Sequence, residues 1–158
     1  MNPTLKNNEF GYAAKTKYAL NHIERFDIIV FSKQDEGKDL IKRVFGLPGE
    51  VIEFKGENCD LYINDEFTPQ AFISLEYQKL TCEGSTSVIK KDVKYTVPEN
   101  HYFVLGDNRG NSRDSAHGLG NVNQKEIVGI LKVITSTWNI NNDENVCNDK
   151  KYIPFKFF

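Results

Sequence analysis

Two stretches of this chain concentrate residues that can move protons or hold charge. The first is Asp39-Leu-Ile-Lys-Arg-Val-Phe-Gly-Leu-Pro-Gly49, where two cations sit side by side in an apolar run. The second is Gly106-Asp-Asn-Arg-Gly-Asn-Ser-Arg-Asp-Ser115, which gathers acids, arginines and hydroxyls into one loop. If the first stretch is a strand, its side chains alternate between faces. Lys42 then shares an environment with Leu40 and Val44, and Arg43 with Ile41 and Phe45. A strand lysine is ordinarily a surface residue whose stem lies on apolar neighbours. The chemical alternative is burial. A free lysine, with a pKa of about 10.4, is protonated at neutral pH; lowering it to roughly 7–8 takes about 4 kcal/mol, which desolvation can supply. The amine then becomes a general base. A neutral hydroxyl such as Ser112 can orient it, whereas a carboxylate in contact would restore the proton. Arg43, on the other face, is free to hold Asp107. The plain reading of the second stretch is a surface turn whose Asp and Asn side chains satisfy their own backbone.

The elements that must position these groups are strands. Glu24-Arg-Phe-Asp-Ile-Ile-Val-Phe-Ser32 is rich in β-branched and aromatic residues, and Gln34-Asp-Glu-Gly-Lys38 turns it into the Lys42 strand. Gly46-Leu-Pro-Gly49 closes that strand, and Glu50-Val-Ile-Glu-Phe54 is the next. Asp60-Leu-Tyr-Ile-Asn64 and Glu66-Phe-Thr68 read as a hairpin about Asn64-Asp65. Thr68-Pro-Gln-Ala-Phe-Ile-Ser74 is a connection and Glu83-Gly-Ser-Thr-Ser87 a loop. Lys94-Tyr-Thr-Val97 and His101-Tyr-Phe-Val-Leu105 are strands, the second running into the Gly106 loop. Gln124-Lys-Glu-Ile-Val-Gly-Ile-Leu-Lys-Val-Ile134 is another, and its Gly129 predicts a bulge or a close backbone approach. Short strands, frequent turns and no long helical periodicity predict a mostly antiparallel β fold. Residues 1–53 and 95–137 are expected to form the β core, 54–94 a smaller inserted subdomain and 138–158 a tail. The tail ends in Tyr152-Ile-Pro-Phe-Lys-Phe-Phe158, which suits a membrane interface or a final packed strand equally.

Bulk properties narrow the function. The 158 residues carry 20 Lys plus Arg against 22 Asp plus Glu, so no basic field for nucleic acid exists. The apolar run Ile28-Ile-Val-Phe31 is far too short to span a bilayer. Cys59, Cys82 and Cys147, with His22, His101 and His117, lack metal-ligand spacing, and neither metal nor cofactor is expected. Cys59–Cys82 can close a loop in an oxidising compartment; free buried thiols fit the sequence as well.

Taken in order, Met1-Asn-Pro-Thr-Leu5, Lys42-Arg-Val-Phe-Gly-Leu-Pro-Gly49 and the Gly106–Ser115 loop resemble the motifs of type I signal peptidases. Phe26-Asp-Ile-Ile-Val-Phe31 is similar to that family's Gly-Asp-Ile-Val-Val-Phe strand. The resemblance implies a membrane-anchored serine endopeptidase of antiparallel β fold with a small inserted second subdomain. It implies removal of signal peptides from exported proteins by a Ser/Lys dyad. It makes Lys42 the general base and Ser112 the hydroxyl that positions it, with Arg43, Asp107 and Asp114 as structural support. The nucleophile belongs to a Ser-Met-Xaa-Pro-Thr-Leu motif, so its serine falls immediately before Met1, and these residues alone are expected to be inactive. The membrane anchor is likewise expected outside this chain. Substrate adds as a β-strand in a cleft that Met1, Pro3, Ile28 and Val30 are expected to line. Two departures stand out: Ala116 replaces the family's Arg after Asp114-Ser115, leaving Arg113 or Arg109 as partners for Asp114, and Phe26 replaces a Gly. The competing reading is a non-catalytic relative that serves assembly of surface proteins, with pilin subunits as partners.

Overall fold

The computed structural model describes residues 1–6, 9–82 and 89–135; the expected loop at 83–87, the tail and Cys147 lie outside them. Among the described residues, ten strands form two antiparallel sheets. They are β1 (Phe10–Ala14), β2 (Ile28–Ser32), β3 (Asp39–Gly46), β4 (Val51–Lys55), β5 (Asp60–Ile63), β6 (Glu66–Thr68), β7 (Lys94–Thr96), β8 (His101–Leu105), β9 (Val122–Asn123) and β10 (Ile127–Thr135). The large sheet runs β1-β10-β2-β3-β8-β9 and the small one β6-β5-β4-β7. The expected division at residue 54 falls within β4, which with β7 belongs wholly to the small sheet.

The second half of β3, residues 43–46, and β8 beyond His101 have both faces buried, which explains their near-continuous apolar sequences. Val44 and Val104 join Ile29, Phe31, Val122 and Ile130 in one core. Phe45, Phe103 and Leu105 face the other way, into a core shared with Ile52, Phe54 and Leu61 of the small sheet. Gly46 marks the crossing between sheets. A Cβ there would meet Val97 Cγ2 at 2.8 Å and Ile52 Cδ1 at 2.9 Å, so the chain can pass only with no side chain. The Gly-Leu-Pro-Gly turn follows, with Gly49 left-handed at φ +83° and Leu47 N–H donating to Glu50 Oε2 at 2.7 Å.

Local signals in the sequence reappear as geometry. Asn64 and Asp65 are both left-handed, at φ +51° and +67°, as a two-residue hairpin turn requires. The β10–β2 register shifts between Ile127 and Gly129, and a Cβ on Gly129 would press on Ala13 Cβ at 3.1 Å. Two short helices, α1 (Lys17–Asn21) and α2 (Leu75–Cys82), lie in the connections. Cys59 and Cys82 are joined in a disulfide that ties α2 to the start of β5. This decides between the two states the sequence left open.

Phe26, where the family motif has Gly, has a left-handed backbone with φ +68°. Such a conformation disfavours a bulky residue by roughly 1–2 kcal/mol. Its ring offsets that cost by packing on Phe45 at 5.6 Å and Phe72 at 5.0 Å.

Candidate active site

The site forms where β8 ends. The β3–β8 ladder pairs Arg43 with Leu105, so the next step brings Gly106 opposite Lys42. A Cβ on Gly106 would overlap the Ser112 hydroxyl and lie 3.7 Å from Lys42 Cδ. Lys42 and Ser112 thus flank the same bare Cα, brought together from positions far apart in sequence. Beyond this point no described strand pairs with residues 39–42 on the β8 side, which leaves an open strand edge beside the amine.

Burial lowers the Lys42 pKa below the ordinary lysine value. Asp114, Glu36 and Asp107 oppose that shift and Lys38 assists it, but desolvation is the largest cause. The Met1 α-amine is also lowered, by burial first and by the Lys42 charge second, so the start of the chain lies within reach of Lys42's field. Asn2 precedes a cis Pro3, and Leu5 N–H closes a turn onto Met1 O at 3.0 Å. Thr4 Oγ1 donates to Asp107 Oδ2 and fastens this turn to the loop.

Alternation along β3 sends Arg43 to the other face, where it meets Asp107 through two bonds, Nε to Oδ1 at 2.9 Å and Nη2 to Oδ2 at 2.7 Å. Its Nη1 donates to Phe26 O at 2.9 Å, and its guanidinium lies over the Phe72 ring at 4.2 Å. A buried guanidinium with a two-pronged partner is a rigid brace. It holds Asp107, and with it the loop, against β3.

Asp114 accepts from Gly106 N–H at 3.1 Å through Oδ2, while its buried Oδ1 has no hydrogen-bond partner. Burial pushes its carboxyl above the usual carboxylate range; the Gly106 N–H and the neighbouring Ser112 hydroxyl pull the other way. Ser112 Oγ lies near enough to ease that charge but is itself buried without a partner of good hydrogen-bond geometry. Neither expected arginine forms an ion pair with Asp114. Arg113 reaches out to Glu36, Nη1 to Oε1 at 2.6 Å. Arg109 turns inward, with Nη2 donating to Gln70 Oε1 at 2.8 Å and its guanidinium 4.7 Å from the Phe45 ring centre. Burial lowers Arg109 to about 10. Ser115 clamps the loop to β8 by accepting from Val104 N–H and donating to Gly120 O, both at 2.9 Å.

The expected cleft residues divide. Met1 is half-buried and Pro3 exposed, both at the start of the chain beside this loop. Ile28 lies opposite Arg43 and Val30 opposite Ile41, so the pleat puts both on the Arg43 face; Ile29 is the residue opposite Lys42. Thr4 and Glu36 were not singled out in sequence, and Arg109 was named only as a partner for Asp114, because their actual partners lie in segments that only the fold brings together.

Fold and site together define an antiparallel β protein with a depressed lysine beside a hydroxyl at a strand end. The chain belongs to the signal peptidase, peptidase S26 family, whose model matches residues 1–138. Signal peptidase I V of Bacillus subtilis is 40% identical over 136 residues, covering 83% of this chain and 77% of that protein. Signal peptidase I S of the same organism is 34% identical over 139 residues, covering 88% and 73%. Among solved structures, a signal peptidase I from Enterococcus faecalis matches with TM-score 0.58 and 33% identity, over 70% of this chain and 97% of that one.

Proposed function

We propose that this chain is the peptide-cleaving domain of a signal peptidase I, which removes signal peptides from exported proteins at the outer face of a cell membrane. The observation that carries the reading is the half-buried Lys42, its pKa lowered by burial, meeting Ser112 at Gly106 beside the Met1 amine. In this reading the nucleophile is a serine joined to that amine, completing Ser-Met1-Asn-Pro-Thr-Leu5. Neutral Lys42 takes the serine proton as Oγ attacks the scissile carbonyl carbon. The resulting ammonium returns the proton to the departing amine of the mature protein. Water, deprotonated by the Lys42 amine, then attacks the acyl carbon, and the ammonium returns that proton to the serine Oγ as its bond to the acyl group breaks. Ser112 steadies the amine, and the Arg43–Asp107 brace holds the loop that carries it. The substrate adds to the open edge of β3 at residues 39–42 as an extra strand. No described helix is long and apolar enough to cross a membrane; the membrane location is inferred from the family.

The test compares the chain preceded by one serine with the same chain preceded by alanine. The serine form should be labelled once by a serine-directed acylating probe and should cut a peptide spanning a signal-peptide junction. The alanine form and residues 1–158 alone should do neither. A serine form that stays unlabelled and idle while folded would remove this reading.

A further inference from the structure

The β2–β3 turn folds over the site. Lys33 Nζ donates to Leu119 O at 2.6 Å, which ties the start of the turn to the segment after Ser115. A single 3-10 turn, Gln34–Glu36, follows, and left-handed Gly37 at φ +63° returns the chain toward β3. Glu36 is carried inward, its side chain only 14% exposed, and Arg113 covers it from outside at 64% exposure.

Lys42 therefore lies in the field of three carboxylates, Asp114, Glu36 and Asp107, together with the cation Lys38 and the Met1 α-amine. Each acid attracts a proton to the amine. Arg43 neutralises Asp107 at close range, and Arg109 lies in the field of both Asp107 and Asp114. For Glu36 the neutralising group is Arg113, the residue directly after Ser112.

We propose that Arg113 is a positioning residue for the base: by holding Glu36 in an ion pair it weakens that carboxylate's pull on a proton at Lys42. A lone carboxylate acts as a charge whose pull falls with distance; a closed ion pair acts as a dipole whose pull falls faster. Solvent around Arg113 weakens the effect without removing it. The catalytic meaning of this guard rests on the proposed function above, but its electrostatics do not.

The experiment reads Lys42 directly. Residues 1–158 are trace-acetylated with acetic anhydride across pH, and the Lys42 peptide is quantified by mass spectrometry. Arg113→Ala should move the reactive limb to higher pH, with about two- to threefold less labelling on the rising part. Glu36→Gln should move it to lower pH. Glu36→Gln/Arg113→Ala should follow Glu36→Gln, because without the carboxylate there is nothing to guard. Arg113→Lys should rescue. Coincident curves for the parent and Arg113→Ala, or shifts of the two single variants in one direction, overturn the proposal and leave the pair as a clasp. In the serine-extended chain, cleavage should track the same limbs. Loss of cleavage with the labelling shifts intact would sink the peptidase reading alone.

Discussion

Around the small sheet, Glu53 Oε2 and Tyr95 OH are buried without a hydrogen bond, but Glu53 is neutralised by an ion pair with Lys55 at 3.0 Å. Gln70 and Gln78 both donate to Cys59 O, at 3.4 and 3.3 Å, and the disulfide closes the segment covalently. At the loop end of the large sheet the shortfall is larger and includes charged groups that form no ion pair among the described residues. Ser112 Oγ, Asp114 Oδ1 and Arg109 Nε are buried with no hydrogen-bond partner, and Lys42, Asp114 and Arg109 all have pKa values displaced by burial. Unpaired buried polar atoms cost stability and are rare where a fold has only itself to support. Three of the five such atoms among the described residues lie in this one loop, which sets it apart from the ion-paired Glu53 of the small sheet.

The sharpest test of that contrast is Lys42→Met in the serine-extended chain. Cleavage should fall about 10⁴-fold, while the unfolding midpoint at neutral pH rises. The folded lysine binds its proton less readily than the unfolded one. Its destabilisation is complete below the folded pKa and fades as pH climbs through the ordinary lysine value. The gain from Lys42→Met should therefore shrink in strong base; a midpoint that falls would break the comparison.

Next in size is Asp107→Ala, which leaves Arg43 buried and unpaired. Urea denaturation should show a loss of about 3–5 kcal/mol. An unchanged midpoint would mean that the brace does not hold the loop. Cys59→Ser/Cys82→Ser, or reduction, opens a bridge between residues 23 apart in sequence and should cost about 3 kcal/mol. Its effect on cleavage should come through the loop and leave the Lys42 limb in place.

The smallest expected effect is that of Asp114→Asn. Asp114 is the largest charge opposing the Lys42 shift, so its neutralisation should move the acid limb of the rate profile to lower pH. The raised carboxyl of Asp114 contributes stability below its unfolded pKa and loses it as pH rises through the folded one. Asp114→Asn should then be neutral in acid and stabilising near pH 7, as calorimetry at the two pH values can check.

Much of this was legible in the sequence because it is local. Alternation in β3 separates Lys42 from Arg43, Asn64-Asp65 makes a hairpin, and Gly129 admits a neighbour. The family resemblance supplied the pairing of distant motifs, including Arg43 with Asp107. What stayed hidden depends on where segments meet. Arg113 prefers Glu36 to Asp114 because the β2–β3 turn arrives above the loop. Ile28 and Val30 fall on the Arg43 face because register, which a strand's own composition does not specify, decides the partner of Lys42. The disulfide needed α2 to end beside β5, and eight residues of weak amphipathic character gave no warning of that helix.

Arg109 also links the two regions. Its guanidinium grips Gln70, Gln70 grips the Cys59 carbonyl, and Tyr77 of α2 accepts the Arg109 N–H at 3.0 Å through its hydroxyl. The molecule thus has a tether running from its covalent staple to the segment bearing Ser112. Heat or reductant that slackens α2 will release that tether while the ten-strand scaffold still stands, so the protein is disarmed before it is dismantled.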